Sequence, residues 1–536
     1  MSRAQQYPRL ILALVCLPVF IGALDLTIVS AVLPDVIRSM TIEIQKLDVA
    51  GWVVTGYFVS YAISMTFMGK VSDLAGRRIV YLVCLAIFFV GSWLVAASPG
   101  WPARLVLAVM QRLQDHPDSA FAPLYALIGG RVVQAFGAGA MVPVSMALVA
   151  DLFPPGKRAL PLGIVGAVDT SGWVLGHLYG GIMVQFMSWP YLFWINLPIV
   201  FVMFWITWWG LAGLPRMNVK GGIDWIGVTL LGAALILLNV GLGSPELGVD
   251  GSTAAPPQHR LYWVAAAAIV FVIFLWSQRR VRDPILDLRI FSNRNLSSAS
   301  GVNLLVGFCI MVALVSVPLF INVAGAADTM TAALVTGYLL CAFTVPMAIA
   351  SIPGGWLSER LGYRWSVIVG LIVAVIGFWM MSRWKVEMAA QAVAFFDHLR
   401  QSPETLAARG TGLMALGLAL AGIGVGLTIA PIGTAVINGV GEQERGMAAS
   451  LVIILRLIGM SVSMSSMTAY GLRRMTALSR ELLNPDDALD LEKTARVALD
   501  AVTRITSEMA LISLAVAATA VAVAFLLRDR DVSPAS

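Results

Sequence analysis

Apolar runs of about 20 residues, separated by short charged segments, recur along the whole chain and restrict what it can fold into. Lipid offers a peptide group no hydrogen-bond partner, so a spanning segment must be a helix or part of a closed barrel. These runs are too long and too uniformly apolar for barrel strands, which leaves helices. Charged residues make up 12% of the 536 positions, against about 25% in a soluble domain. One large soluble core is therefore excluded. Spans are expected near 10–33, 49–68, 79–97, 121–150, 159–186, 190–213, 223–243, 261–278, 298–321, 331–352, 365–382, 410–432, 447–470 and 503–527. That is roughly fourteen helices, with ends good to a few residues.

An even number of spans puts both termini on one side. Lys70, Arg77, Arg78, Lys157, Arg158, Arg279, Arg280, Arg282, Arg360 and Arg364 fall in the loops of that side, which is expected to be cytoplasmic. The net charge of +6 is thus a topological signal, and nucleic-acid binding is not expected. Cys16, Cys84, Cys309 and Cys341 all lie in apolar runs and read as small buried hydrophobes rather than disulfides. Arg3 and Arg9 before the first run imitate a signal peptide. No small-residue cleavage site closes that run and it holds Asp25, so it reads as the first span.

A polar decapeptide occurs twice. Gly69-Lys70-Val71-Ser72-Asp73-Leu74-Ala75-Gly76-Arg77-Arg78 returns, altered, as Gly355-Trp356-Leu357-Ser358-Glu359-Arg360-Leu361-Gly362-Tyr363-Arg364. Gly, Ser, acid, Gly and Arg keep their register, and each copy joins two apolar runs. One such loop per half implies two similar bundles in tandem, a frequent construction of secondary transporters. The expected organisation is a six-helix bundle over 1–215, two linker helices and a loop over 216–295, and a second six-helix bundle over 296–536. Asp73 and Glu359 can pair with Arg77, Arg78 or Arg364, or with a neighbouring helix end. A contact of that kind would close the cytoplasmic face. Gly69, Gly76, Arg360 and Asp151 complete the set of gating candidates. The simpler reading is topogenic charge, and two copies in register favour gating.

Four ionisable residues lie inside spans: Asp25 in the first, Arg131 in the fourth, Asp169 in the fifth and Arg456 in the thirteenth. Each costs roughly 2.5–3.5 kcal/mol on insertion scales, so each is expected to face a partner or a wet cavity. A carboxylate that meets two compartments in turn can load and release a proton; a fixed ion pair that only orients helices is the alternative. The arginines read as partners of the carboxylates. Asp25→Asn is expected to abolish proton-coupled transport and to leave the fold intact. The fifth span also carries Gly166, Gly172, Gly176, Gly180 and Gly181 around His177, a pattern for close helix packing.

Three outward insertions stand out. Residues 98–120 contain Trp101, Pro102, Asp115, His116 and Pro117; residues 383–409 are mixed; residues 471–508 form the longest. In the last, Leu472, Met475, Leu478 and Leu482 keep helical spacing, Asn484-Pro485 breaks the helix, and Leu491, Ala495, Leu499 and Val502 resume it. An amphipathic helical pair projecting beyond the bilayer is expected. Its stripe must be covered by its own hairpin partner, by the membrane, or by lipid and an acceptor protein. No phosphate-binding loop, HExxH or CxxC pair occurs, and nothing in the sequence argues for an enzyme or a metal.

These segments together resemble the major facilitator superfamily, in its 14-helix drug:proton antiporter branch. The loop 69–78 is similar to the motif between helices two and three. Leu24-Asp25-Leu26-Thr27 through Pro34 is similar to the first-helix motif, with Asp25 at its acidic position. Arg131-Val132-Val133-Gln134-Ala135-Phe136-Gly137 is similar to the fourth-helix motif, whose Arg the resemblance implicates in proton transfer. Gly172-Trp173-Val174-Leu175-Gly176-His177-Leu178-Tyr179-Gly180-Gly181 is similar to the antiporter motif of helix five. Leu74 stands where the loop motif usually has Arg or Lys, and His177 where the fifth-helix motif usually has Pro. Those departures and the long extension look like the lipid-exporting mycobacterial members, which work with a periplasmic lipoprotein. The resemblance implies an all-α membrane protein of two six-helix bundles plus two inserted helices, driven by the proton gradient without a cofactor. It implies a monomer in the inner membrane that exports an apolar acyl lipid such as triacylglyceride. Multidrug:proton antiport, and a receptor or scaffold that moves nothing, are the alternatives.

Overall fold

The computed structural model describes residues 7–40, 47–113, 121–184, 186–212, 222–242, 259–286, 288–324, 329–392, 409–482 and 491–528. They are helical nearly throughout. In chain order the helices are α1 Pro8–Ser39, α2 Leu47–Ala75, α3 Arg77–Ala97, α4 Trp101–Leu113, α5 Ala122–Gly139, α6 Met141–Leu152, α7 Ala159–Met183, α8 Pro190–Gly210, α9 Trp225–Leu242 and α10 His259–Gln278. They continue with α11 Arg294–Ala324, α12 Thr329–Leu361, α13 Tyr363–Met381, α14 Arg409–Asn438, α15 Arg445–Leu482 and α16 Leu491–Ala524. Among the described residues ten helices are long and apolar enough to cross a membrane, α5 and α6 together forming one of them, Ala122–Leu152. At 29 and 25 residues, α2 and α7 are also long enough to cross. Two shorter apolar helices, Trp225–Leu238 and Tyr262–Gln278, fall at the expected linker positions.

The chain divides into two compact units. One comprises Met1–Asn293 and Val436–Ile454, the other Arg294–Ala435 and Leu455–Ser536. In the first, α1 packs along α7, α5 is flanked by α2 and α3, and α3 also packs on α8. The linker helices α9 and α10 lie against each other and against α2, through Val59, Ala62, Leu231, Leu235 and Phe274. Asp224 starts α9 as its cap: one carboxylate oxygen accepts the Gly227 N–H at 2.8 Å, the other the Gln278 amide at 2.6 Å.

In the second unit α16 packs along α11 and α13. The extension folds as a helical pair. Met475 and Leu478 of α15 meet Ala501, Ile505 and Met509 of α16, with Val312 of α11 beneath. Glu508 accepts a forked pair of hydrogen bonds from Arg474, the shortest 2.9 Å, and a third from the Tyr470 hydroxyl at 2.7 Å. Of the covers open to this stripe, the described part takes its own hairpin partner. The break at 484–487 and the side chains of Leu472, Leu482, Leu491 and Ala495 lie outside the described residues, as do Asp115, His116 and Pro117. The first insertion is not a plain loop, since its first half forms α4.

Two one-residue turns set the repeat. α2 ends at Ala75 and α3 begins at Arg77, with Gly76 at φ 94° between them; α12 ends at Leu361 and α13 begins at Tyr363, with Gly362 at φ 85°. A side chain at either position would be strained, because L residues rarely adopt that backbone region.

Candidate functional site

The first unit holds a polar cluster inside an apolar bundle. Asp25 and Arg131 are both fully buried, and Arg131 Nη1 lies 2.6 Å from Asp25 Oδ2. The second guanidinium nitrogen donates to the Asp25 carbonyl at 3.1 Å. Gln134, one turn after Arg131, accepts from Arg131 at 2.7 Å and donates to Asp25 Oδ1 at 3.0 Å and to Ser92 Oγ at 2.9 Å. Asn196 of α8 donates to the same Asp25 oxygen at 3.4 Å. The Tyr57 ring lies under the guanidinium, 3.9 Å from its carbon, and Phe193 is 5.8 Å away. Five helices thus converge on one carboxylate. The cation balances its charge, and the amides take up its remaining lone pairs. A buried pair is tolerable only when satisfied in this way.

Local sequence makes the convergence possible. A Cβ on Gly91 would strike the Gln134 backbone, and one on Gly137 would strike Phe88. The absence of side chains there brings α3 and α5 to backbone contact and carries Ser92 to Gln134. A Cβ on Gly172 would meet Phe20 and Ala23, and one on Gly176 would meet Leu24 and Thr27. Thr27 Oγ donates to the Trp173 carbonyl at 2.9 Å. The fifth-span glycines therefore seat α7 directly on the stretch of α1 that carries Asp25. Gly180 is buried in the same helix, while the side chains of His177 and Gly181 lie outside the described residues. To one side of the cluster, Ile28, Val29, Val32, Val53, Leu124, Leu127 and Phe193 form a dry core.

Asp169 is also buried in α7. Arg456 is buried in the second unit, where its backbone lies against Gly307.

A second polar cluster surrounds the first decapeptide. Asp73 is buried and forms an ion pair with Arg77, which also donates to Ser72 Oγ at 2.7 Å. Asp73 further accepts the backbone N–H groups of Gly446 and Met447, each at 3.1 Å. These are orphan donors of the first turn of α15, so Asp73 acts as a cap from a distant part of the chain, at the positive end of the helix. Asp151 bridges the arrangement, 3.3 Å from Arg77 and 2.7 Å from Arg445. Gly69 sits where a Cβ would overlap Ser450, and the Ser450 hydroxyl donates to the Met65 carbonyl at 2.7 Å. Arg78 donates to the Trp208 carbonyl near the end of α8, at 3.0 Å. All of these residues belong to the first unit.

The second decapeptide is built differently. Glu359 is exposed where Asp73 is buried. Arg360 lies over the Trp356 ring at 4.0 Å, and Arg364 lies near Trp365 and Phe525 at 5.5 and 5.2 Å.

Sequence reasoning did not single out Tyr57, Ser92, Gln134, Asn196 or Arg445. Asn196 and Gln134 carried a usable signal, an amide inside an apolar run. Arg445 carried none, because it reads as an ordinary loop cation.

A bundle of spanning helices with a buried, hydrogen-bonded ion pair and a second polar cluster at a helix start is that of a membrane transporter, and the chain belongs to the major facilitator superfamily. The family model described as Major Facilitator Superfamily matches residues 15–464. Among curated relatives, a triacylglyceride transporter of Mycobacterium tuberculosis is 32% identical over 484 residues, covering 90% of this chain and 86% of that protein. One from Mycolicibacterium smegmatis is 32% identical over 459 residues, covering 85% and 75%. Two solved structures share the fold. The human organic anion transporter MFSD10 has a TM-score of 0.56 at 15% identity, covering 95% of this chain and 99% of that one. The proton:xylose symporter XylE has a TM-score of 0.56 at 13% identity, covering 95% of each. The chain is a multi-pass membrane transporter and not an enzyme.

Proposed function

We propose that the protein exports an apolar acyl lipid of the triacylglyceride kind from the inner membrane toward the periplasm, by proton-coupled alternating access. The buried Asp25–Arg131 pair, with Gln134 and Asn196 completing it, is the observation that carries the coupling. Protonation of Asp25 removes the charge that holds Arg131 and leaves the guanidinium to seek another acceptor. Any state that offers one is favoured when the proton is bound. Deprotonation restores the pair. A ligand or proton shifts such an equilibrium only by its differential affinity for the two states, and an ion pair present in one state supplies that difference.

In this reading the chain crosses the membrane fourteen times with both termini cytoplasmic, and the Asp73–Arg77–Asp151–Arg445 lock holds its cytoplasmic face closed. Asp169 and Arg456 are further proton-coupling candidates, and Glu359, Arg360 and Arg364 further gating ones. The proton gradient is the only energy source and the transporter works as a monomer. The names of the relatives support the lipid substrate, and a periplasmic lipoprotein receiving lipid at the 471–508 extension fits the same picture. The runner-up is multidrug:proton antiport, since an apolar cavity would serve both substrates. Purified protein in vesicles with an imposed pH gradient tests the proposal directly. Fluorescent triacylglyceride moving with the gradient supports it. Gradient-driven movement of a cationic dye without lipid movement would replace it with the runner-up.

A further inference from the structure

The α4 helix, Trp101–Leu113, is used neither by the coupling cluster nor by the lock. Its 13 residues extend about 20 Å, too short to cross a bilayer. It sits between the end of α3 and the start of α5, and so at one membrane face. Its sequence divides into three flanks. Pro102 and Ala103 are buried, and the helix packs along α5. Arg104 and Gln111 are exposed on a second flank, Arg112 is exposed in the last turn three residues after Val109, and no acid occurs in the helix. The third flank, at i, i+4 and i+8, is apolar and exposed: Trp101 is 46%, Leu105 60% and Val109 49% accessible.

That flank has a neighbour that identifies its surroundings. The Trp101 ring lies 5.3 Å from that of Trp93 on α3. Trp93 ends a row of exposed apolar side chains, Ile79, Val83, Val90 and Trp93, along a spanning helix. Such a row on a span faces lipid, and paired tryptophans are placed at the level of the headgroups. The apolar flank of α4 is therefore continuous with the lipid-facing surface of α3. Arg104 lies beside it, and Arg112 ends it in the last turn of the helix, where a long side chain can carry its charge up to the phosphate level.

We propose that α4 is an in-plane interfacial helix. It inserts Trp101, Leu105 and Val109 into the headgroup–acyl boundary of the leaflet that meets the end of α3, and sets Arg104 and Arg112 toward phospholipid phosphates. The occupant of the apolar flank is the membrane itself. Because α4 packs on α5, the helix that carries Arg131, it ties one end of that helix to the leaflet surface.

Site-directed spin labelling tests this in the full chain. Cys16, Cys84, Cys309 and Cys341 are changed to Ala, and single Arg104→Cys, Leu105→Cys, Val109→Cys and Gln111→Cys variants are labelled in phosphatidylglycerol–phosphatidylethanolamine vesicles. Collision with oxygen should exceed collision with a water-soluble nickel chelate at 105 and 109, and the order should reverse at 104 and 111. Free access of the chelate to 105 and 109 would overturn the proposal. Protection of 105 and 109 that arises only when envelope proteins are added would overturn it too, in favour of a protein partner. Positions 105 and 109 back each other, as do 104 and 111, so a variant that fails to elute as a monodisperse peak leaves its partner on the same flank to decide the outcome.

Discussion

Replacing Asp25 by Asn keeps the size of the side chain and removes its charge. The sequence alone suggests an inert substitution for folding, but the structure changes that expectation. Arg131 is fully buried, with Asp25 as the carboxylate that balances it at 2.6 Å. An amide in place of that carboxylate would leave a guanidinium in an apolar bundle with only amide and carbonyl oxygens to accept from it. Breaking a buried pair from one side costs about 3–5 kcal/mol. In a unit of this size that corresponds to a fall in Tm on the order of 5–10 °C. Removing both charges, with Asp25→Asn and Arg131→Met together, should recover most of that loss, because replacing a buried pair by neutral groups is often close to neutral. Both variants should lack proton-driven transport. The assay is thermal unfolding in detergent beside gradient-driven transport in vesicles. An unchanged Tm for the single variant would refute the energetic reasoning. Proton-driven transport by the double variant would refute the coupling role.

Gln134→Leu should lower transport and cost about 1–3 kcal/mol, because Asp25 and Ser92 each lose a buried partner; thermal unfolding and transport rate check it together. Asp73→Ala should loosen the first turn of α15 by about 0.5–2 kcal/mol, the range for losing a helix cap. It should be read as faster amide exchange at Gly446 and Met447. Gly176→Leu should force α1 and α7 apart and cost at least about 1–3 kcal/mol; a wild-type Tm would show that the contact can relax freely. Glu508→Gln removes a half-exposed pair with Arg474 and should move Tm little, since exposed pairs are weak, so a large fall in Tm would give the extension a larger part in folding than its exposure suggests.

Asp25 and Arg131 were legible as a pair of expensive charges, because lipid penalises an ion wherever it sits on a span. The sequence could not assign partners. Asp25, Asp169, Arg131 and Arg456 look alike in an apolar background, and only packing separates them. The glycines on α3, α5 and α7 permit backbone contact, and that contact brings Ser92 to Gln134 and seats α7 on the stretch of α1 that carries Asp25. The two decapeptides looked equivalent for the same reason. Their turns are equivalent, since positive φ at Gly76 and Gly362 is a local property. Their acids are not, since the burial of Asp73 depends on the start of α15, more than 370 positions away.

What the sequence determined by itself is therefore everything set by the solvent and by short-range geometry. Helices follow from the lipid, the membrane class from the length of the apolar runs, and the turns from glycine. Tertiary structure decided which buried charge faces which partner, and which acid caps a distant helix. It also decided that Met475 and Leu478 of the extension close on Ala501, Ile505 and Met509 while α4 leaves a flank open. Those outcomes depend on distances of a few ångströms between segments hundreds of residues apart, and the one-dimensional pattern contains no term for them.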